Sequence, residues 1–214
     1  LAEESTAMNS KEAIKFSFKH PTWIIDPIDG TTNFIHGLPN FCISIALHVN
    51  GDLEQAVVYD PSRNELFTAS KGRGAYLNDR RLRVSKNIYL ESSLVATGFP
   101  PRDPNLYENY FNTLKKLGKS SASIRRLGSA ALELSYVAAG RLDAFFEIGL
   151  MPWDSAAGSL IVRESGGFVG NFSGNEDFLF TSNIVAANPK LFAKIIRILS
   201  NCEFEIPKGI KITK

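Results

Sequence analysis

Cysteine, histidine and methionine are all scarce in this 214-residue chain, neither sign of charge dominates, and no stretch is long and apolar enough to cross a bilayer. Two cysteines cannot build a disulfide framework. Cys42 sits inside the apolar run from Phe41 to Val49, where a thiol acts as a small hydrophobe. Cys202 sits in a polar tail. Nothing in this pattern supports a bridge between them, and it suits a reducing, cytoplasmic compartment. The three histidines, His20, His36 and His48, stand in no plausible triad, so a Ser-His-Asp type of nucleophilic catalysis is not expected. A net charge of +2 gives no electrostatic case for nucleic acid. The densest basic clusters, Arg80-Arg81 with Arg83 and Arg125-Arg126, are short enough to read as solvated faces. No signal peptide is visible at Leu1. Leu1 is not a methionine, however, and Leu1-Ala-Glu-Glu-Ser reads like the end of a strand, so a preceding segment is expected.

A hydrophobic content of 44% over this length is enough to bury a core as one large or two small domains. The first half reads as a meandering antiparallel sheet. Residues 5 to 20 are polar and read as a mobile loop. A strand follows from Trp23, then a short helix or irregular stretch to about Asn40. Strands are expected over Phe41–Val49, Gln55–Tyr59, Glu65–Ala69, Ala75–Leu77 and Arg81–Val84, with hairpin turns at Asn50-Gly51-Asp52 and Asn78-Asp79. The second half alternates strands with helices, which implies an α/β layer. Its strands are expected over Ser93–Phe99, Ala144–Ile148, Phe168–Phe172 and Asn183–Ala187. Its helices are expected over Tyr107–Leu117, Ser129–Val137 (stopped by Gly140), Trp153–Ser165 and Pro189–Leu199. The boundary falls near Lys86 to Glu91, dividing the chain into residues 1–88 and 89–214.

One run is more informative than the rest. Trp23-Ile-Ile-Asp-Pro-Ile-Asp-Gly-Thr-Thr is a strand that stops at two carboxylates, Asp26 and Asp29, followed at once by Gly30, Thr31 and Thr32. Two acids this close repel unless a cation lies between them. Oxygen ligands select Mg²⁺ or Ca²⁺ rather than zinc. A Gly-Thr-Thr turn opening a helix offers N–H groups to a phosphate. Asp-Pro-x-Asp-Gly is also ordinary turn chemistry, but a solvated loop does not explain the apolar run before it. Mg²⁺ coordination calls for further acids. Glu3 and Glu4, at the end of an apparent strand, are candidates. So is Asp154, at a helix start where its plain role is an N-cap. Ser155, Ala156, Ala157 and Gly158 after it are small enough to let that helix end approach another element or a ligand.

These residues resemble the inositol monophosphatase family, and most closely its bacterial SuhB-type branch. The likeness covers the whole chain. It rests on Trp23-Ile-Ile-Asp-Pro-Ile-Asp-Gly-Thr-Thr-Asn33-Phe34 and on Trp153-Asp-Ser-Ala-Ala-Gly-Ser-Leu-Ile-Val-Arg-Glu-Ser-Gly-Gly167, with family-like sequence also from Tyr59 and from Arg125. The resemblance implies an α/β (α+β) fold, a layered α/β/α/β/α sandwich of the sugar-phosphatase type, and a cytoplasmic homodimer. It implies Mg²⁺-dependent hydrolysis of inositol monophosphates and related small phosphorylated polyols, with two or three ions. Glu3, Asp26, Asp29, Asp154 and the Ile28 carbonyl would hold metal. Ile28, Asp29, Gly30, Thr31 and Asp154 would bind the substrate, Gly30 and Thr31 holding its phosphate through backbone N–H groups and the Thr31 hydroxyl helping Glu3 activate a water. Gly128, Ser129, Ala130, Glu147 and, more weakly, Arg125 would meet the polyol, although Glu147 also reads as a surface acid at a strand end. Relatives acting on fructose 1,6-bisphosphate, 3′-phosphoadenosine 5′-phosphate or NADP share these acids, and SuhB-type members are also implicated as partners of transcription antitermination factors. Family members carry several dozen mostly helical residues before the Glu-Glu-Ser element, including an acid near the metals, and these are not in this sequence.

Overall fold

In a computed structural model that describes residues 1–3, 20–100 and 104–200, the chain forms two sheets. The expected loop over residues 5 to 20 lies outside the described residues apart from His20, and Cys202 lies outside them too. The first sheet is an antiparallel meander in chain order: β1 (Thr22–Asp29), β2 (Cys42–Val49), β3 (Asp52–Asp60), β4 (Glu65–Ser70), β5 (Gly74–Leu77) and β6 (Arg80–Arg81). Asn50 and Gly51 join β2 to β3 at φ of 52° and 96°, the paired positive values of a type I′ turn. The short helix α1 (Thr31–Ile35) interrupts the path from β1 to β2.

The second sheet has the order β10-β11-β9-β7-β8, built from β7 (Leu94–Thr97), β8 (Ser123–Arg125), β9 (Ala144–Ile148), β10 (Phe168–Gly170) and β11 (Asn183–Ala187). It is mixed, with β7 parallel to both β8 and β9 and the other pairs antiparallel. Helices α2 (Pro104–Ser120), α3 (Ala130–Ala138), α4 (Pro152–Glu164), α5 (Phe178–Thr181) and α6 (Pro189–Leu199) complete the molecule.

Helix α4 reaches both sheets, and α3 lies beside it. Every residue of α3 is buried, which fits a helix enclosed between layers rather than one lying on a surface. On the far side of the second sheet, α6 packs on β11 and β10 and meets α2. The layered sandwich is therefore present, and among the described residues its layers run sheet, helices, sheet, helices. No described helix covers the outer face of the first sheet, where Trp23, Ile43 and Leu66 stay exposed.

A row of small side chains explains how α4 lies so close to the first sheet. Ile24, Ala46, Ala56, Ala69 and Ala75 are cross-strand neighbours on five successive strands, and all are buried. Four alanines leave a shallow trough where larger residues would hold a helix off. The facing stretch of α4 is equally small: Ser155, Ala156, Ala157, Gly158 and Ser159 are all buried. One continuous core joins residues of both sheets through α3 and α4.

Several elements differ from expectation. The strand expected over Arg81–Val84 is only Arg80–Arg81. The Leu82 N–H still bonds β5 at Ala75 O, and beyond it the chain leaves the sheet, with the Val84 N–H bonded to Ser165 O. The three-residue β8, the single-turn α5 and a 3₁₀ turn at Leu90–Ser92 have no counterpart in the sequence reading, because elements this short show no periodicity. Asp154 is not the N-cap of α4. Met151 holds that position, and Asp154 lies three residues inside.

Where α3 and α4 touch, a Cβ on Gly158 would stand 2.5 Å from Leu134 Cβ. Gly158→Ala should therefore destabilise the fold by about 1–3 kcal/mol through overpacking, although alanine is the better helix former. A lowered midpoint in denaturant titration would verify this, and an unchanged or raised midpoint would contradict it.

Candidate active site

The decisive local feature is an irregularity in β1. Residues three apart on a regular strand point to opposite faces. Here Asp26 pairs with Ser44 and Asp29 with Cys42, so three residue steps on β1 oppose two on β2. The extra residue is taken up around Pro27, which has no N–H to give to a ladder. Both carboxylates consequently face inward, and both are buried, at 1% and 8% exposure. The start of α4 brings the third acid, and Ser44 Oγ ties β2 to this helix end by donating to Trp153 O at 3.1 Å. One carboxylate oxygen from each of Asp26, Asp29 and Asp154 lies within 4.8 Å of the others.

Each of these carboxylates has one oxygen held by protein donors. Asp26 Oδ1 accepts the Ile28 N–H at 2.9 Å. Asp154 Oδ2 accepts the Met151 N–H at 2.7 Å, which makes it the reaching-back half of a capping box. Asp29 Oδ2 is bound most fully: Ser129 Oγ donates at 2.7 Å, the Ala131 N–H at 2.8 Å and Cys42 Sγ at 3.8 Å. Burial, the Asp29 charge and then Glu3 push Asp26 up to about 8. Burial pushes Asp29 up to about 6, against the pull of Ser129 and Ala131. Burial and the Asp29 charge hold Asp154 well above the usual carboxylate range. Hard oxygen donors that repel one another at this spacing suit a divalent cation.

Glu3 stands beside Asp26, outside the three-acid group, because Leu1 and Ala2 run parallel to β1. The Ile25 N–H donates to Leu1 O at 2.8 Å, and Ala2 bridges Ile25. Its charge acts on both Asp26 and Asp154. Gly30 caps α1 in the left-handed region at φ 91°, and a Cβ there would meet Asn40 O at 2.9 Å. The first-turn N–H groups that follow have no acceptor within the helix. The Thr31 hydroxyl donates to Ile28 O at 3.0 Å. Gly128, at φ 82°, lets the chain turn so that Ser129, just before α3, meets Asp29, with Ala130 opening the helix.

Glu147 is half-buried rather than a freely solvated surface acid. Its carboxylate packs on Gly98, where a Cβ would overlap it, and burial with the charges of Glu133, Asp154 and Asp29 pushes it well up. Arg125 is not drawn onto the acids. Its guanidinium turns back on its own strand, to Ser123 Oγ and Ile124 O. The sequence reading missed Asn33, Ser44 and Glu133. A lone glutamate in the apolar run Ala130–Ala138 was the available signal for Glu133, since unpaired acids are rarely buried.

Residues 1–203 match the model of the Inositol monophosphatase family. The chain belongs to the inositol monophosphatase family. It is 52% identical over 189 residues to the Nus factor SuhB of Escherichia coli strain K12, covering 88% of this chain and 70% of that protein. Its fold matches the inositol monophosphatase of Anabaena (Nostoc) sp. PCC 7120 with a TM-score of 0.84 at 37% identity, covering 95% of this chain and 78% of the other. It also matches SaIMPase-II, solved with inositol monophosphate bound, at a TM-score of 0.80 and 32% identity, covering 94% of this chain and 75% of that one. This is a family of phosphatases, and among the described residues the three-acid cluster could hold a metal ion.

The raised acids set a pH test. An acid whose folded value lies above its unfolded value of 3.8 costs the fold stability when it ionises. Without a cation, stability should be full below about pH 4 and fall as pH rises through Asp29 at about 6 and Asp26 at about 8. Mg²⁺ should offset that loss, so the thermal shift between Mg²⁺ and chelator should grow from acid to mildly alkaline pH. A shift independent of pH would refute the coupling.

Proposed function

We propose that this chain is a divalent-cation-dependent phosphomonoesterase that releases phosphate from inositol monophosphates and related small polyol phosphates. One observation carries the reading: Asp26, Asp29 and Asp154 meet beside a glycine-capped turn whose N–H groups are open. The donor set is all oxygen and bears three formal negative charges, which fits Mg²⁺. Asp26, Asp29 and Asp154 would hold the ions through the oxygens their protein donors leave over, with Glu3 and the Ile28 carbonyl beside them. An ion held there would supply charge to neutralise the phosphate, to lower the pKa of a water and to stabilise the departing alkoxide.

The rest is the work of the chain. The N–H groups of Gly30 and Thr31 orient the phosphoryl oxygens. The Thr31 hydroxyl has spent its own proton on Ile28 O, so it meets a water as an acceptor. Glu3, next to Asp26, would take the proton from that water. Gly128, Ser129, Ala130 and Glu147 would meet the polyol, with the Glu147 carboxylate accepting from its hydroxyls. Arg125 is left out of this set because its guanidinium is engaged on β8.

A second reading has its own support. The E. coli relative bears the name Nus factor, so this chain is also a candidate partner of a transcription complex, a role that requires no turnover. SaIMPase-II has also been solved with 2′AMP bound, which places nucleotide phosphates among the substrates to try.

Phosphate release from inositol 1-phosphate should require Mg²⁺, and Asp154→Asn should lower it by on the order of 100-fold or more by removing an ion ligand. A panel including 2′AMP, fructose 1,6-bisphosphate, 3′-phosphoadenosine 5′-phosphate and NADP would define the alcohol. Absence of Mg²⁺-dependent release from every member would overturn the enzymatic reading. Co-purification of transcription proteins with the Asp154→Asn variant would support the second.

A further inference from the structure

We propose that Asn33 and Glu133 are positioning residues that set how firmly Asp29 is held for a cation, acting through the Leu127 peptide. The inference rests on the reading of Asp29 as an ion ligand. Leu127 is pinned on both sides. Its N–H donates to Glu133 Oε1 at 2.8 Å. Its carbonyl accepts from Asn33 Nδ2 at 2.8 Å and from Asn40 Nδ2 at 3.0 Å, which uses both lone pairs. Gly128 follows, and Asn33 Nδ2 lies 3.1 Å from the place a Cβ on Gly128 would take. The next residue, Ser129, and then Ala131 supply two of the donors to Asp29 Oδ2.

Asp29 and Asn33 lie four residues apart on one turn and grip the same segment, Leu127 to Ala131, at two points. One attachment would let that segment pivot. Two attachments fix the direction from which Asp29 Oδ2 is bound, and so the direction in which its other oxygen faces. Glu133 closes the arrangement from within α3. It is fully buried, and its second oxygen, Oε2, takes no well-aligned hydrogen bond from the described residues, although the Gly128 N–H and the Arg126 charge also bear on the carboxylate. A buried carboxylate in that condition costs stability, and an apolar residue would fill the helix more cheaply. What the carboxylate supplies is the acceptor for Leu127, six residues back along the chain.

The test is calorimetric titration of the whole chain with Mn²⁺, which reports affinity separately from the fraction of protein competent to bind. Asn33→Asp keeps the shape of the side chain but has no N–H to give. Glu133→Leu removes the acceptor, and Glu133→Gln retains a carbonyl oxygen for Leu127. Loss of partners behind a ligand typically costs about 10–100-fold in metal affinity. Asn33→Asp and Glu133→Leu should weaken Mn²⁺ binding by about that factor at unchanged stoichiometry, and Glu133→Gln should bind like the unaltered chain. Reduced stoichiometry at unchanged affinity would mark a purely structural role and overturn the inference. So would equal affinity in all four proteins. If the unaltered chain bound no Mn²⁺, the metal reading itself would fall, whereas Mn²⁺ binding without phosphatase activity would leave the positioning role standing.

Discussion

Three carboxylates within 4.8 Å of one another, two buried and the third half-buried, are the constraint to which the rest of the molecule answers. At an effective dielectric of about 20, each pair repels by roughly 3 kcal/mol when ionised. A hydrogen bond to a charged group returns about 1.5–3 kcal/mol. Asp29, with the Ser129 hydroxyl and the Ala131 N–H, is close to balanced by its donors, and its pKa rises only to about 6. Asp26 has a single backbone donor and rises to about 8. The donors thus grade the three acids without cancelling their charge. What remains is attraction for a small cation, which makes the cluster a device for binding one rather than a stable feature in itself.

The architecture serves that cluster. Asp154 is far from Asp26 in the chain, and it arrives only because α4 can settle deep in the alanine trough of the first sheet. Bulkier residues in that row would lift the helix and carry Asp154 away from β1. Helix α3, packed on α4 at Gly158, delivers Ser129 and Ala131 to Asp29 from the other direction. Packing in the middle of the molecule is therefore converted into ligand geometry at its edge, and the two distant sequence signatures are joined by contact between small residues.

Much of this was legible in the residues alone. Ala144–Ile148, Asn183–Ala187 and Pro189–Leu199 occur where apolar runs and a helix-starting proline place them. Asp26 and Asp29 stood out because acids ending an apolar strand are costly without a purpose, and Asp154 because small residues follow it at a helix start. Elsewhere the sequence was silent for identifiable reasons. Nothing local announces that β1 is irregular, since a bulge is defined by the partner strand. Asn33 looked like a helix residue following a phosphate turn, and only tertiary structure shows its amide reaching a segment more than ninety positions away. Asp154, expected as a metal ligand, was given the plain alternative of an N-cap because the true N-cap, Met151, has no side-chain oxygen and so leaves no signature.

The irregularity at Pro27 has a genetic consequence. Strand faces alternate, so the count of residues between Asp26 and Asp29 works like a reading frame. Many substitutions within Asp26-Pro27-Ile28-Asp29 leave the frame intact, but losing or gaining one codon would rotate a carboxylate from the interior to the outer face. Lineages that drift freely at Ile28 should therefore still keep the length of this tetrapeptide unchanged, and selection there acts on spacing before it acts on chemistry.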